Sequence, residues 1–174
     1  MVFVREFLDT IREFIELGGP VLYAVMVVLF LMWTFIIERF WYVYFVYPRE
    51  RERVLAAWRE RFDQESWYAR RIRELWISQT AIELGRGLSF IRTCVAVCPL
   101  LGLLGTVTGM ILVFDVMAIV GTGNARAMAD GVSQATVPTM SGMVAALSGI
   151  YFADRLERLY REETEFLEDE LQHA

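Results

Sequence analysis

Three stretches of this chain, at positions 20–37, 93–114 and 131–153, are apolar and carry no Asp, Glu, Lys or Arg. A helix of roughly 20 apolar residues is what crosses a hydrocarbon core about 30 Å thick. A soluble fold rarely needs three such runs. Backbone groups inside lipid must be satisfied within the segment, so helices are the default, and the short alternating strands of a closed barrel are absent here. The expected fold is therefore an all-α membrane protein with three transmembrane helices that extend into the cytoplasm.

The apolar share of 56 % is an average over segregated segments, and charge is segregated too. All 17 basic residues are Arg, and eleven of them lie from Arg39 to Arg92, whereas the link between the second and third runs holds only Arg126. Under the positive-inside rule the Arg-rich loop lies in the cytoplasm, the short link and the N-terminus outside, and the C-terminus inside. Arg155, Arg158 and Arg161 in the tail agree, while Arg5 and Arg12 are a mild counter-signal. The first residues are charged throughout, and no small-residue cleavage site follows the first apolar run closely, so that run is expected to stay as an anchor.

Phe3, Val4, Phe7, Leu8, Ile11, Phe14 and Ile15 recur at helical spacing among charges, which predicts an amphipathic helix. Gly18-Gly19-Pro20 breaks it before the first span, so the helix is expected in the outer interface or against a neighbouring subunit. The resulting division is an amphipathic outer helix at 1–19, a first span at 20–47, a cytoplasmic helical loop at 48–92, a second span at 93–120, an outer link at 121–129, a third span at 130–153 and a cytoplasmic tail at 154–174. In the loop, Val54, Leu55, Trp58, Phe62, Ile72, Leu75, Trp76, Ile77 and Leu84 form an apolar stripe among charges, which predicts helices.

The inner two spans differ from the first in being rich in small residues. Gly105 and Gly109 lie four apart, as do Gly102 and Thr106, Gly142 and Ala146, and Ala145 and Gly149. Small residues at this spacing let helix backbones approach closely in lipid. The bulky first span is expected to be peripheral. Thr106 lies 13 residues beyond Thr93, and Thr139 lies 14 before Ala153, so both are expected roughly 20 Å above the cytoplasmic end. Two hydroxyls at one depth can bond each other, their own backbone, or a polar group of another chain, and the backbone option is common in membrane helices.

Chemistry-bearing clusters are sparse. Cys94 and Cys98, one turn apart, fit apolar packing better than a disulfide or a metal site. His173 is the sole histidine, and no nucleophile–base pair, metal-ligand cluster or phosphate loop is visible, so no enzyme activity, metal or cofactor is expected. A net charge of −5 on an anchored chain argues against nucleic-acid binding. The Arg-rich surface can meet anionic membrane lipids, although interspersed acids equally fit solvated helix faces.

The segment LLGLLGTVTGMILVF at 100–114 resembles the LGLLGTVxGMIxxF signature of the ExbB/TolQ/MotA family of stator subunits, and GVSQATVPTMSGMVAA at 131–146 is similar to the family's second signature. The resemblance implies a homopentamer in the bacterial inner membrane, with a periplasmic N-terminus and a cytoplasmic C-terminus. Its second and third helices would line a pore occupied by a smaller, single-span ExbD-like partner. That partner's Asp carries the proton, and the signature threonines, Thr106 and Thr139 here, face it. Gln134 is the third position that the resemblance places along the pore and proton path; family members commonly have Glu there, and Pro138 is a further departure. The resemblance also implies a TonB-like protein energised for outer-membrane transport. A TolQ-like role in envelope constriction shares every motif, and a non-conducting scaffold is an alternative that Gln134 makes slightly less remote. Asp115 and Asp130 are candidate acidic groups at the outer mouth, or ordinary helix-end residues. Gly102, Gly105, Gly109, Gly142 and Gly149 are the expected packing positions.

Overall fold

The computed structural model describes residues 2–62, 66–120 and 125–173, with side chains at 5, 15, 18–62, 66–119, 126 and 128–171. The described residues are helical apart from short turns. Helix α1 runs Val2–Trp41, a π-helical turn covers Tyr42–Val46, and α2 (Tyr47–Arg59), α3 (Trp67–Gly85), α4 (Leu88–Val120) and α5 (Ala125–His173) follow. Three helical stretches, within Gly18–Arg59, Trp67–Ile119 and Met128–Leu171, are long and apolar enough to cross a membrane. The chain divides into two compact units, one of Met1–Met32 with Thr93–Ile150, the other of Trp33–Arg92 with Tyr151–Ala174.

In the first unit α4 and α5 pack antiparallel, with Gly142 against Cys98, Gly102 against Thr139, Gly109 against Ala135 and Gly131 against Val113. The partner numbers fall as the glycine numbers on α4 rise, which is the mark of antiparallel register. A Cβ on Gly109 would lie 2.5 Å from the Ala135 Cα, and one on Gly142 2.5 Å from the Cys98 carbonyl oxygen. These helices meet backbone to backbone, the geometry small residues permit. Helix α1 breaks at Gly19, whose φ of 65° and ψ of −167° leave the helical region just before Pro20. A positive φ is a conformation that glycine adopts at no steric cost. Beyond the break, Val21, Leu22, Val25 and Met32 are buried, and Met32 reaches Gly149. The opposite face, with Tyr23, Val27 and Phe30, is exposed. Most side chains of the expected amphipathic segment lie outside the described residues.

The second unit gathers the end of α1, α2, α3, the start of α4 and the distal half of α5. Trp58, Ala69, Leu167 and Leu171 form its buried cluster, with Val54, Leu55, Ile72, Trp76 and Ile77 packed against it. Ser66 caps α3, its Oγ accepting from the Ala69 N–H at 3.1 Å. Phe62 and Leu75, counted in the same stripe by periodicity, are exposed instead. Phe62 stands past the end of α2 at Arg59, so the helical period does not carry it inward.

Arg39, the one basic residue in the apolar reach of α1, is 9 % exposed. Its guanidinium holds Glu38 through Nε at 2.9 Å and Nη2 at 3.1 Å, and Nη1 donates to the Glu83 carbonyl at 3.1 Å. Glu83 belongs to the last turn of α3, so Arg39 caps that helix. Gly87, at φ 84°, lets the turn after α3 pass close to the arginine, since a Cβ there would meet Nε at 3.4 Å. Arg39→Ala is expected to cost about 1.5–3 kcal/mol, the value of hydrogen bonds from a charged group. A drop in the thermal midpoint of the purified protein checks it, and an unchanged midpoint would contradict the capping role.

Candidate functional site

The charge-free parts of α4 and α5 place every polar side chain in a setting with few partners, so the hydroxyls turn to the backbone. Thr106 donates to the Leu103 carbonyl at 2.7 Å, and Thr108 to Leu104 and Gly105 at 3.1 and 3.0 Å. Thr136 and Ser141 do likewise on α5, to Val132 at 3.1 Å and Val137 at 2.8 Å. Thr139 differs. Its hydroxyl crosses to α4 and donates to the Gly102 carbonyl at 2.9 Å, with a longer contact of 3.4 Å to its own Ala135 carbonyl.

Gly102 makes that crossing bond short enough to form, because a Cβ there would meet the Thr139 Cα at 3.0 Å. Pro138, fully buried, sets its ring against Gly105. Having no N–H, Pro138 cannot bond the carbonyl four residues earlier, which is that of Gln134. Thr106 and Thr139 therefore do not bond each other, and their hydroxyls go to neighbouring carbonyls, Leu103 and Gly102. Thr139 stands beside Gly102, about one turn, or roughly 6 Å, from Thr106 along α4. Charge boundaries mark where a span ends, whereas the register of α4 against α5 is set by the glycine contacts.

Gln134 lies elsewhere. Five residues before Thr139, it is turned about 140° around α5 and displaced about 7.5 Å along it. Half-buried, it lines a cavity of about 260 Å³ with Gly18, Gly19, Pro20, Thr108 and Gly109. Its Oε1 would be 4.0 Å from a Cβ on Gly19. The structure thus places Gln134 at the break in α1 and apart from the two threonines. Asp115 and Asp130 are exposed and flank the contact of Gly131 with Val113, so both belong to one end of the α4–α5 pair.

Cys94 and Cys98 are buried free thiols, and no group of three or more His, Cys, Asp or Glu that could hold a metal occurs among the described residues. The second unit also holds a polar network that sequence periodicity does not reveal. The Tyr42 hydroxyl donates to Glu50 Oε2 at 2.7 Å and approaches Glu83 Oε2 at 3.4 Å, beside a cavity of about 270 Å³ lined by Arg51, Arg53, Trp76 and Gln79. Its sequence signal was a tyrosine one turn from the lone Glu38-Arg39 pair within an apolar run.

Long apolar helices, a backbone-close pair of glycine-rich spans and hydroxyls as their main polar groups define a multi-pass membrane protein. The chain belongs to the MotA/TolQ/ExbB proton channel family, whose model matches residues 49–169. That family is a channel family and not an enzyme class. The chain is 39 % identical over 71 residues to the biopolymer transport protein ExbB-like 3 of Synechocystis, covering 40 % of this chain and 34 % of that protein. It is 37 % identical over 98 residues to ExbB-like 1 of the same organism, covering 44 % and 39 %. With the biopolymer transport protein ExbB of Salmonella typhimurium it shares 36 % identity over 67 residues, covering 38 % and 28 %. The matched part thus spans about a third of the length of these relatives.

Proposed function

We propose that this chain is the housing subunit of a proton-motive-force-driven stator. In this reading it forms a homopentamer in the bacterial inner membrane, with its N-terminus periplasmic and its C-terminus cytoplasmic. An ExbD-like single-span partner completes the channel and energises a TonB-like protein for outer-membrane transport. One observation carries the reading: positions 93–114 and 131–153 hold no charged side chain, yet they keep Thr106 and Thr139 within a turn of each other. A proton relay needs a titratable group at that depth, and an amide at Gln134 does not titrate. The carboxylate must then come from another chain.

The hydroxyl geometry fits that task. A threonine that donates to a backbone carbonyl has its lone pairs free, so it can accept the O–H of a protonated, neutral carboxyl. After the proton leaves, rotation about the C–O bond redirects the hydroxyl hydrogen to the carboxylate. The threonines in this scheme orient the carboxyl and carry no proton themselves. The names of the relatives, biopolymer transport proteins, support the ExbB-type branch over the TolQ-like one.

Reconstitution tests the proposal. Liposomes holding this chain together with the single-span protein encoded beside it are expected to pass protons, and those holding either alone are not. Flux from this chain alone would refute the borrowed carboxylate, and none from the pair would leave a scaffold.

A further inference from the structure

The far end of the second unit is zoned by charge. Helix α3 has no acid in its first turn and carries Arg70, Arg71 and Arg73 close behind it, while α5 ends with Glu165, Glu168, Asp169 and Glu170 in its last turns. Both ends reverse what the helix dipole favours, which is acid at the N-terminus and base at the C-terminus. Each end therefore gains from counter-charge beyond its own helix. Some of it is supplied inside the unit: Arg59 Nη2 lies 3.7 Å from Glu170 Oε2, and Arg73 Nη1 donates to the Leu171 carbonyl at 3.5 Å.

A remainder is left over on the surface. Arg70, Glu165, Glu168 and Asp169 are exposed and make no ion pair among the described residues, and Arg71 meets only the exposed Glu74, at 2.9 Å, and the exposed Trp67 ring, 5.5 Å from its centroid. The two sets share a level, because Ala69, Leu167 and Leu171 belong to one buried cluster. Both also point away from that cluster. Glu165 and Asp169 stand two residues either side of Leu167, about 200° from it around α5, and Arg71 stands about 200° from Ala69 around α3. Arg71 on α3 and Glu165 and Asp169 on α5 thus each face away from the shared cluster, with Arg70, about 100° from Ala69, on the flank of α3.

Copies set side by side around an axis along their spans present the same level of each chain to the next. Such a head-to-tail contact closes into a ring. We propose that Arg70 and Arg71 on α3 of one copy pair with Glu165 and Asp169 on α5 of its neighbour, forming the cytoplasmic contact between subunits. The inference rests on the self-assembly read above and names the surface that directs it. An anionic membrane surface would engage the arginines alone and be repelled by the acids.

Charge reversal tests it. R70E/R71E and E165R/D169R are each expected to raise the dissociated fraction of the detergent-purified complex roughly tenfold, as like charges face each other across the contact. All four changes in one chain restore the parent's native mass. A second measurement leaves most of the contact unchanged: with Cys94 and Cys98 replaced by Ala, an Arg70→Cys chain and a differently tagged Asp169→Cys chain are co-expressed. A short bismaleimide is expected to join them. An oligomer indifferent to both reversals and without that cross-link overturns the contact and leaves the assembly reading intact, whereas a monomeric parent overturns both. Loss of binding to anionic vesicles in R70E/R71E with native mass unmoved would assign the arginines to lipid and overturn the contact.

Discussion

Gly109→Leu is expected to abolish the packing of α4 on α5 and to leave little folded protein in the membrane. The position meets backbone, not side chain: a Cβ there would lie 2.5 Å from the Ala135 Cα and 2.6 Å from its N. Neither atom can move without displacing α5. Overpacking a well-filled contact costs typically about 1–3 kcal/mol, and a clash with rigid backbone belongs at or beyond the upper end. Gly142→Leu is expected to match it, since its added Cβ would meet the Cys98 carbonyl oxygen at 2.5 Å. At Gly149 the nearest atoms are the Met32 sulfur at 2.5 Å and a Val95 methyl at 2.6 Å. A methionine end can swing aside, so Gly149→Ala is expected to be the milder change. Membrane yield and thermal midpoint of the three variants measure the order. Gly109→Ala with the parent's midpoint would show that the helices are not held at backbone contact.

The same contacts show how far the sequence could be read. Hydropathy is a local property, and it located the helices well: three uncharged runs lie in α1, α4 and α5, and Gly19-Pro20 marks a true departure from helical geometry. Register is not local. Which α4 residue faces Thr139 depends on how Gly102, Gly105 and Gly109 seat against Pro138 and Ala135, and no periodicity within one helix encodes that. Hence Thr139 was expected level with Thr106 and stands beside Gly102 instead. The position of Gln134 at the α1 break was hidden for the same reason, as it joins residues more than a hundred positions apart. Arg39 was visible only as an interruption of an apolar run, because its partner, the Glu83 carbonyl, is backbone and leaves no sequence trace.

Thr139→Val and Thr106→Val separate structure from transport. Valine matches threonine in shape, so packing survives in both, but the losses differ. At Thr106 only a bond to the carbonyl one turn back disappears, and that carbonyl keeps its helical partner. Stability is expected within about 0.5 kcal/mol of the parent, as for a substitution that leaves no buried group orphaned. At Thr139 the bond to Gly102 between two helices is lost, and a cost of about 1 kcal/mol is expected. Both variants are nevertheless expected to assemble and to lose nearly all partner-dependent proton flux, because neither can accept from, or donate to, a carboxyl entering from another chain. Thr106→Ser and Thr139→Ser keep the hydroxyl and are expected to keep flux. Full flux in both valine variants, with the complex intact, would remove the threonines from the proton path. Flux lost only in Thr139→Val would place the critical hydroxyl on α5 alone and make its bond to Gly102 the state from which the carboxyl is received.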